Sequence, residues 1–392
     1  LDRPVRHGGR MRARDESGNR TSWLKYRWAD RLYISVAARR EDIERAKGLA
    51  IVLVVFGHLV ARAEPAGLTW YEPLRAAVYS FHMPLFFYLS GLAAALAGPP
   101  AAYWPYLRGR ARRLLVPYAA FGLLILAGKL AAARIVAVDH VPASFGAGLA
   151  ALFWRTGDSP AGSVWYLAVL FACAAALPPL LRYLGPGRAL LLAGLLFLLP
   201  LPPLLWADRV GGYAVFFAAG VAAGRHDTAW TRWRDRVWPV CFLLLLVLLA
   251  GIVAGAVPAG RIDAGAAGRV TLLLAGLLAM PALHGAVAAG SVRRDRVLLA
   301  LGRGSFAIYL LNTITIGLAK AALLTAGLAW TAADFPRLAV ALMAAGLGGP
   351  LLLAAPWRYS RESWASARPA FGGPGTRNAS VTSPSRVSSS PH

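Results

Sequence analysis

Apolar residues in this chain fall in long blocks, not in alternation. The blocks lie at 48–62, 76–97, 114–136, 163–183, 189–206, 210–224, 237–257, 270–290, 298–326 and 335–356. A length of about 20 residues matches a hydrocarbon core roughly 30 Å thick. The pattern therefore predicts an all-α integral membrane protein, a bundle of about ten transmembrane helices. Some blocks are short or carry Gly and Pro, which neighbouring helices tolerate in a membrane. The stretch 144–154 is apolar but too short to span, and reads as a re-entrant or interfacial piece. Polar segments flank the blocks. Residues 1–46 form a basic cytosolic N-terminal tail, 47–358 the transmembrane domain, and 359–392 a Ser-, Pro- and Gly-rich tail expected to be disordered.

Charge orients the bundle. Loops 98–113, 225–236 and 291–297 are rich in Arg, and the turn 184–188 is flanked by Arg182 and Arg188. The intervening loops are Arg-poor and carry Glu64, Glu72, Asp139, Asp158, Asp208 and Asp263. The alternation is unbroken, so the positive-inside rule places both termini in the cytoplasm with an even number of spans.

Composition agrees. The chain is 57% hydrophobic and 15% charged, where a soluble protein has about 25% charged residues, and its mean hydropathy is +0.52. A net charge of +24 would suggest nucleic acid in a soluble protein. Here the Arg residues sit between apolar blocks and in the tails, with no nucleic-acid-binding signature among them. Facing anionic lipid is the better account, and no nucleic-acid partner is expected. Cys173 and Cys241 lie inside apolar blocks as packing residues. P-loop, GxSxG and HExxH motifs are absent.

His58 is the first candidate for chemistry. It ends the run KGLAIVLVVFGH, eleven steps and about 16 Å beyond Lys47 on nearly the same helix face. Ionisable residues inside a membrane are costly and face a bundle interior or a wet cavity. A neutral ring bonded to a neighbouring helix is the plain alternative. His82, in AVYSFHMPLFFYLSG, falls in the same depth band on the next, antiparallel span. No HxxxH pair or intramembrane carboxylate completes a metal site, so no metal is expected. Proton transfer suits the pair better. On the cytoplasmic side, Arg108, Arg110, Arg112 and Arg113 could hold an anionic cofactor's phosphates, or serve only as topogenic charge. Trp165 and Tyr166 open the fourth span, where interfacial aromatics are common. Asn312 is polar within the ninth span and could hydrogen-bond another helix. Lys129 and Lys320 could snorkel or line a cavity.

Three motifs, in this order, resemble the acyltransferase 3 family of bacterial membrane O-acyltransferases, and most of all its fucose 4-O-acetylase-like branch. They are IERAKGLAIVLVVFGH (43–58), YSFHMPLFFYLSGL (79–92) and RARRLLVPY (110–118). VWYL (164–167), GYAVFFAAGVAAG (212–224) and GRGSFAIYLLN (302–312) are weaker echoes. The resemblance implies a ten-helix, multi-pass enzyme of the inner (cytoplasmic) membrane. It would move an acyl group, commonly acetyl, from acyl-CoA to a hydroxyl of a sugar or glycan-type acceptor. It maps the family's basic-x10-His feature onto Lys47 and His58, the histidine of its second motif onto His82, and its third-span arginine onto Arg113. His58 and His82 are then the catalytic pair, with Lys47, Arg110 and Arg113 on the CoA phosphates. Trp165, Tyr166, Tyr309 and Asn312 form the expected substrate-binding set. Family members often carry His where this chain has Asn312, which puts a third-histidine role in doubt. Direct transfer and an acyl-histidine intermediate both fit the sequence. Ten helices with polar groups at the midplane also suit a transporter or flippase of a glycan, lipid-linked sugar or small molecule.

Overall fold

The computed structural model describes residues 41–60, 64–133, 141–289, 292 and 294–366, with side chains as far as Ala355. Most of both predicted tails lies outside these residues. The described residues are helical throughout, apart from loops and one isolated bridge between Ala66 and Thr331. The helices are α1 (41–57), α2 (Tyr71–Tyr79), α3 (His82–Leu96), α4 (Tyr103–Ala132), α5 (Phe145–Phe153) and α6 (Trp165–Tyr183). They continue with α7 (Gly185–Leu198), α8 (Ala207–Arg225), α9 (Asp227–Val253), α10 (Gly265–Ala288), α11 (Arg296–Thr325) and α12 (Phe335–Ser366). Among the described residues, those through Leu351 belong to one compact unit and those from Leu352 to a second.

Among the described residues, seven segments are long and apolar enough to cross a membrane: α2–α3 together, α4, α6, α9, α10, α11 and Phe335–Ala355. Burial sorts them. In its most apolar stretch α2–α3 is 72% buried and α10 67%, but α9 only 11%. The outward face of α9 shows Val240, Leu243, Leu244, Leu246 and Val247. Water would penalise so long an apolar face; acyl chains accept it. The chain is a membrane helical bundle with α3 and α10 inside.

The structure departs from the hydropathy blocks in three places. The second block is two helices, broken at Ser80–Phe81. Ser80 is fully buried and returns its hydroxyl to Ala76 O at 2.9 Å, while Gly260 N donates to the same Oγ at 2.7 Å. Pro84, in the first turn of α3, needs no hydrogen-bond donor there. The fifth block is helical only through Leu198. Pro200, Pro202 and Pro203 follow, and a proline cannot extend the helix that precedes it. Finally, α12 runs to Ser366, past the expected start of the C-terminal tail at 359. The short stretch 144–154 is the nine-residue α5, too short to span.

Two glycine crossings set the interior register. A Cβ on Gly91 would lie 2.0 Å from Phe217 O, and one on Gly220 2.0 Å from Tyr88 O. Likewise a Cβ on Gly48 would run into Leu298 O, and one on Gly302 into Glu44 O. Any larger residue would drive backbone from backbone. Each glycine meets a carbonyl about one turn before the partner's glycine. Because Cβ leans toward the helix N-terminus, that reciprocity marks parallel pairs. So α3 runs parallel to α8, with 91 level with 220–221, and α1 parallel to α11, with 48 level with 302.

Candidate active site

A cavity of about 310 Å³ opens between α1, α3, α4, α6, α8 and α11. Its α3 wall runs from Met83 to Ala94, eleven residues and about 16 Å. One end gathers three cations, Lys47 of α1 and Arg110 and Arg113 of α4. Lys47 is partly neutralised by Glu44 at 2.9 Å, and Arg110 lies over the Tyr106 ring at 5.2 Å. Phe86, Leu114, Leu167, Leu170 and Phe217 supply apolar wall. Tyr166 and Tyr309 line it too, edge to face at 5.5 Å, with Tyr166 OH bonded to Ser90 at 2.7 Å. Five of the nine predicted site residues thus share one chamber.

The other four lie outside its lining. Trp165 turns away into an aromatic wall, 5.0 Å from Tyr213 and 6.0 Å from Phe87. Asn312 is 1% exposed and spends its amide N–H groups on Ile308 O and Tyr309 O, at 2.8 and 2.9 Å. Its Oδ1 is buried without a hydrogen-bond partner. By the α1–α11 register, Asn312 stands level with residue 58.

The histidines sit at two helix ends. α1 stops at Gly57, and His58 occupies the turn that follows, half-buried. His82 is the first residue of α3, buried, and neighbours Met83 at the deep end of the cavity. The two rings lie within electrostatic reach of each other. α2 builds this junction. Tyr71 OH donates to Phe56 O at 2.7 Å and Tyr79 OH to Gly57 O at 2.9 Å. The second bond satisfies a carbonyl that the end of α1 leaves open, and the first adds to the Leu59 N–H that Phe56 O already accepts at 3.3 Å. The Tyr79 ring also packs on His82 with centroids 4.7 Å apart. Arg75 lies over the Tyr79 ring at 5.2 Å, pairs with Glu72 at 2.5 Å, and reaches His58 electrostatically. His82 Nδ1 is 2.9 Å from Val78 O. A carbonyl only accepts, so Nδ1 carries the proton and Nε2 of the neutral ring keeps its lone pair.

Sequence reading missed Tyr71, Arg75 and Tyr79. Their spacing of four along one helix face was the available signal. It also passed over His284, an ionisable residue inside an apolar block. There Arg234 donates to His284 Nε2 at 3.0 Å and Nδ1–H meets Tyr88 OH at 2.9 Å, which ties α9, α10 and α3 together. Among the described residues, no group of three or more His, Cys, Asp or Glu side chains could hold a metal ion. Lys320 rests 3.4 Å above the Trp330 ring.

Outside the spans, the loop after α9 carries the pair Arg261–Asp263, joined by bonds of 3.0 and 2.8 Å. The Arg261 guanidinium holds the Asp263 carboxyl below its usual range.

A stretch of 102 residues is 36% identical to the nodulation protein NolL of Sinorhizobium fredii (strain NBRC 101917 / NGR234). The match covers 25% of this chain and 28% of that relative. No solved structure matches. Residues 40–355 match the family model for the acyltransferase domain, a stretch that holds the whole cavity and both histidines. The chain belongs to the acyltransferase 3 family.

Proposed function

We propose that this protein is an O-acyltransferase of the cytoplasmic membrane that moves an acyl group, acetyl in the simplest case, from acyl-CoA to a hydroxyl of a sugar or glycoside. The observation that carries the reading is the chamber itself. Three cations from two helices gather at one end, and the wall leads about 16 Å along α3 toward the histidine pair. Guanidinium and ammonium groups suit CoA phosphates, and an apolar bore suits the thiol-bearing arm. The seven long apolar segments plus α1, α7 and α8 make ten spans. With the Arg-rich loops inside, the cationic mouth faces the cytosol, where acyl-CoA is made.

In this reading His58 takes the proton of the acceptor hydroxyl as its oxygen attacks the thioester carbonyl. The C–O bond forms, the C–S bond breaks, and the proton passes to the departing CoA sulfur. The products are an ester and free thiol. His82, with Nδ1–H held by Val78, offers its Nε2 lone pair to the His58 ring and so orients the base. It cannot donate to an oxyanion while neutral. Lys47, Arg110 and Arg113 hold the donor; Tyr166 and Tyr309 shape the bore.

The test is transfer of label from acetyl-CoA to glycosides by purified protein in liposomes. His58→Ala, correctly inserted and still binding CoA, is expected to lose about 10²- to 10⁴-fold in rate. Normal turnover by that variant would remove His58 from the mechanism. Glycoside that crosses the bilayer unesterified would make the protein a transporter.

A further inference from the structure

When an alcohol attacks a thioester, the carbonyl oxygen takes on negative charge. A preorganised hydrogen-bond donor aimed at that oxygen lowers the barrier. The histidines do not supply it. His58 acts as the base, and His82 gives its Nδ1–H to Val78 O. The polar groups around them are committed as well. Tyr71 and Tyr79 give their hydroxyl protons to Phe56 O and Gly57 O. Asn312 gives its amide N–H groups to Ile308 O and Tyr309 O. Lys47 stands at the mouth, about 16 Å away along α1.

Tyr309 is placed and bonded differently. It lines the chamber. The α1–α11 register, with 48 level with 302, sets it level with residue 55, about 4–5 Å mouthward of His58. Its hydroxyl oxygen accepts the backbone N–H of Tyr166 at 3.3 Å. That N–H lies in the first turn of α6, where no carbonyl of the helix can take it. An N–H only donates, so the phenolic proton is left to be given elsewhere. Among the described residues, no other hydrogen bond engages this hydroxyl. The positive end of α6 polarises the O–H and makes it a stronger donor. Edge-to-face packing on the Tyr166 ring at 5.5 Å holds the phenol in place.

The chamber's other hydroxyls stand at the wrong depth. Ser90 is about 12 Å along α3 from His82 and is bonded to Tyr166 OH at 2.7 Å. Ser305 is level with residue 51, about 10 Å mouthward of His58. The donor's length agrees with the depth of Tyr309. About twelve bonds separate the CoA pyrophosphate from its sulfur, roughly 14 Å of extended chain. Held by Lys47, Arg110 and Arg113, that arm carries the thioester to the level between Tyr309 and His58.

We propose that Tyr309 is the oxyanion donor of the transfer step, its O–H bonded to the thioester carbonyl oxygen and its own oxygen anchored on the N–H of Tyr166. The assignment rests on the acyltransferase reading above and adds a second catalytic residue to His58. As the acceptor oxygen bonds to the carbonyl carbon, the C=O π pair moves onto the carbonyl oxygen. The Tyr309 hydrogen bond tightens there without passing its proton. The pair returns as the C–S bond breaks, and the proton that His58 took goes to the sulfur.

The test uses full-length protein in liposomes, acetyl-CoA with an isotope-labelled carbonyl, and methyl α-fucoside and glycerol as acceptors. Infrared difference spectra of bound acetyl-CoA read the contact directly, because a hydrogen bond lowers the carbonyl stretching frequency. Tyr309→Phe keeps the ring and loses the proton. It is expected to lower kcat about 10²- to 10³-fold, hold Kd for acetyl-CoA within about twofold, and move the bound carbonyl stretch upward. A folded Tyr309→Phe protein with wild-type kcat overturns the assignment. So does a lost kcat with the stretch unmoved, which would make Tyr309 a positioning residue acting through Tyr166. Where Tyr309→Phe does not fold, Tyr309→fluorotyrosine, with fluorine beside the hydroxyl, is the second probe. It keeps both bonds and offers a more acidic phenol. A carbonyl stretch below the wild-type value supports the contact, and an unchanged stretch overturns it. Wild-type protein that binds acetyl-CoA but esterifies neither alcohol defeats the acyltransferase reading. Transfer by the wild type together with any of the overturning results defeats the role of Tyr309 alone.

Discussion

At the scale of single residues, Tyr79 does two jobs that one substitution can separate. Its hydroxyl closes the end of α1 on Gly57 O, and its ring lies against His82. Tyr79→Phe keeps the ring and loses the donor. Leaving a helix-end carbonyl unpaired costs about 1 kcal/mol or somewhat more, and His58 is the next residue along. We expect a thermal midpoint lower by a few degrees and a kcat reduced about tenfold, with KM for acetyl-CoA unchanged, since the cations at the mouth are untouched. Equal kcat in the two proteins would show that the tyrosine holds the fold and not the base. The pH profile offers a second check. Arg261 depresses the carboxyl of Asp263, so this group's contribution is present above the ordinary carboxylate pKa and is lost only as pH falls through its lower folded value. Above about pH 4 the outer loop keeps its charge. An acid limb in the transfer rate above that pH therefore does not come from Asp263, and one that belongs to His58 should vanish from the small residual activity of His58→Ala.

Helices meet through residues that hydropathy does not weigh. Gly220 lets Tyr88 O approach to where a Cβ would sit 2.0 Å away, and the obstacle is backbone that no rotamer change can move. Gly220→Ala should force α3 and α8 apart, cost about 3 kcal/mol, and show as a lower midpoint for aggregation in detergent. Gly194→Ala in α7 is the control, because nothing lies within 4 Å of its added carbon; there the change should be neutral or gain up to about 1 kcal/mol of helix propensity. Equal midpoints would mean that the crossing is looser than the register requires. The same contrast explains what the sequence revealed. Where the apolar blocks lie was legible, because hydrocarbon thickness fixes block length. The grouping of Lys47 with Arg110 and Arg113 came from the family resemblance, and the three do line one end of the cavity. The break at Ser80–Phe81 was not legible. It depends on Gly260, 180 residues away, reaching the Ser80 hydroxyl. Pro200, Pro202 and Pro203 did announce the end of α7, and a block drawn by hydropathy alone ran past them.

The whole molecule is asymmetric across the membrane, and its proposed chemistry depends on that asymmetry. The parallel crossings give α3 and α8 one direction through the bilayer, and α1 and α11 share a direction too. α3 leads from the histidine pair to the cationic mouth, and α1 leads back from Lys47 to His58. If the Arg-rich loops are cytosolic, the donor enters from the cytosol and the acceptor from outside, and the ester forms between them without either substrate crossing. If the orientation is reversed, the mouth faces away from the acyl-CoA pool and the mechanism has no donor. Cysteine labelling decides between the two. In a background with Cys173 and Cys241 changed to Ser, one variant carries Arg108→Cys, on an exposed position at the start of α4, and another Ala256→Cys, exposed in the loop after α9. A membrane-impermeant maleimide added to intact cells or spheroplasts should label the protein at position 256 and reach position 108 only after permeabilisation. Labelling at 108 alone would invert the protein and take the cytosolic donor with it. Labelling at both positions in sealed cells would mean that these loops share a face, and the count of ten spans would fall.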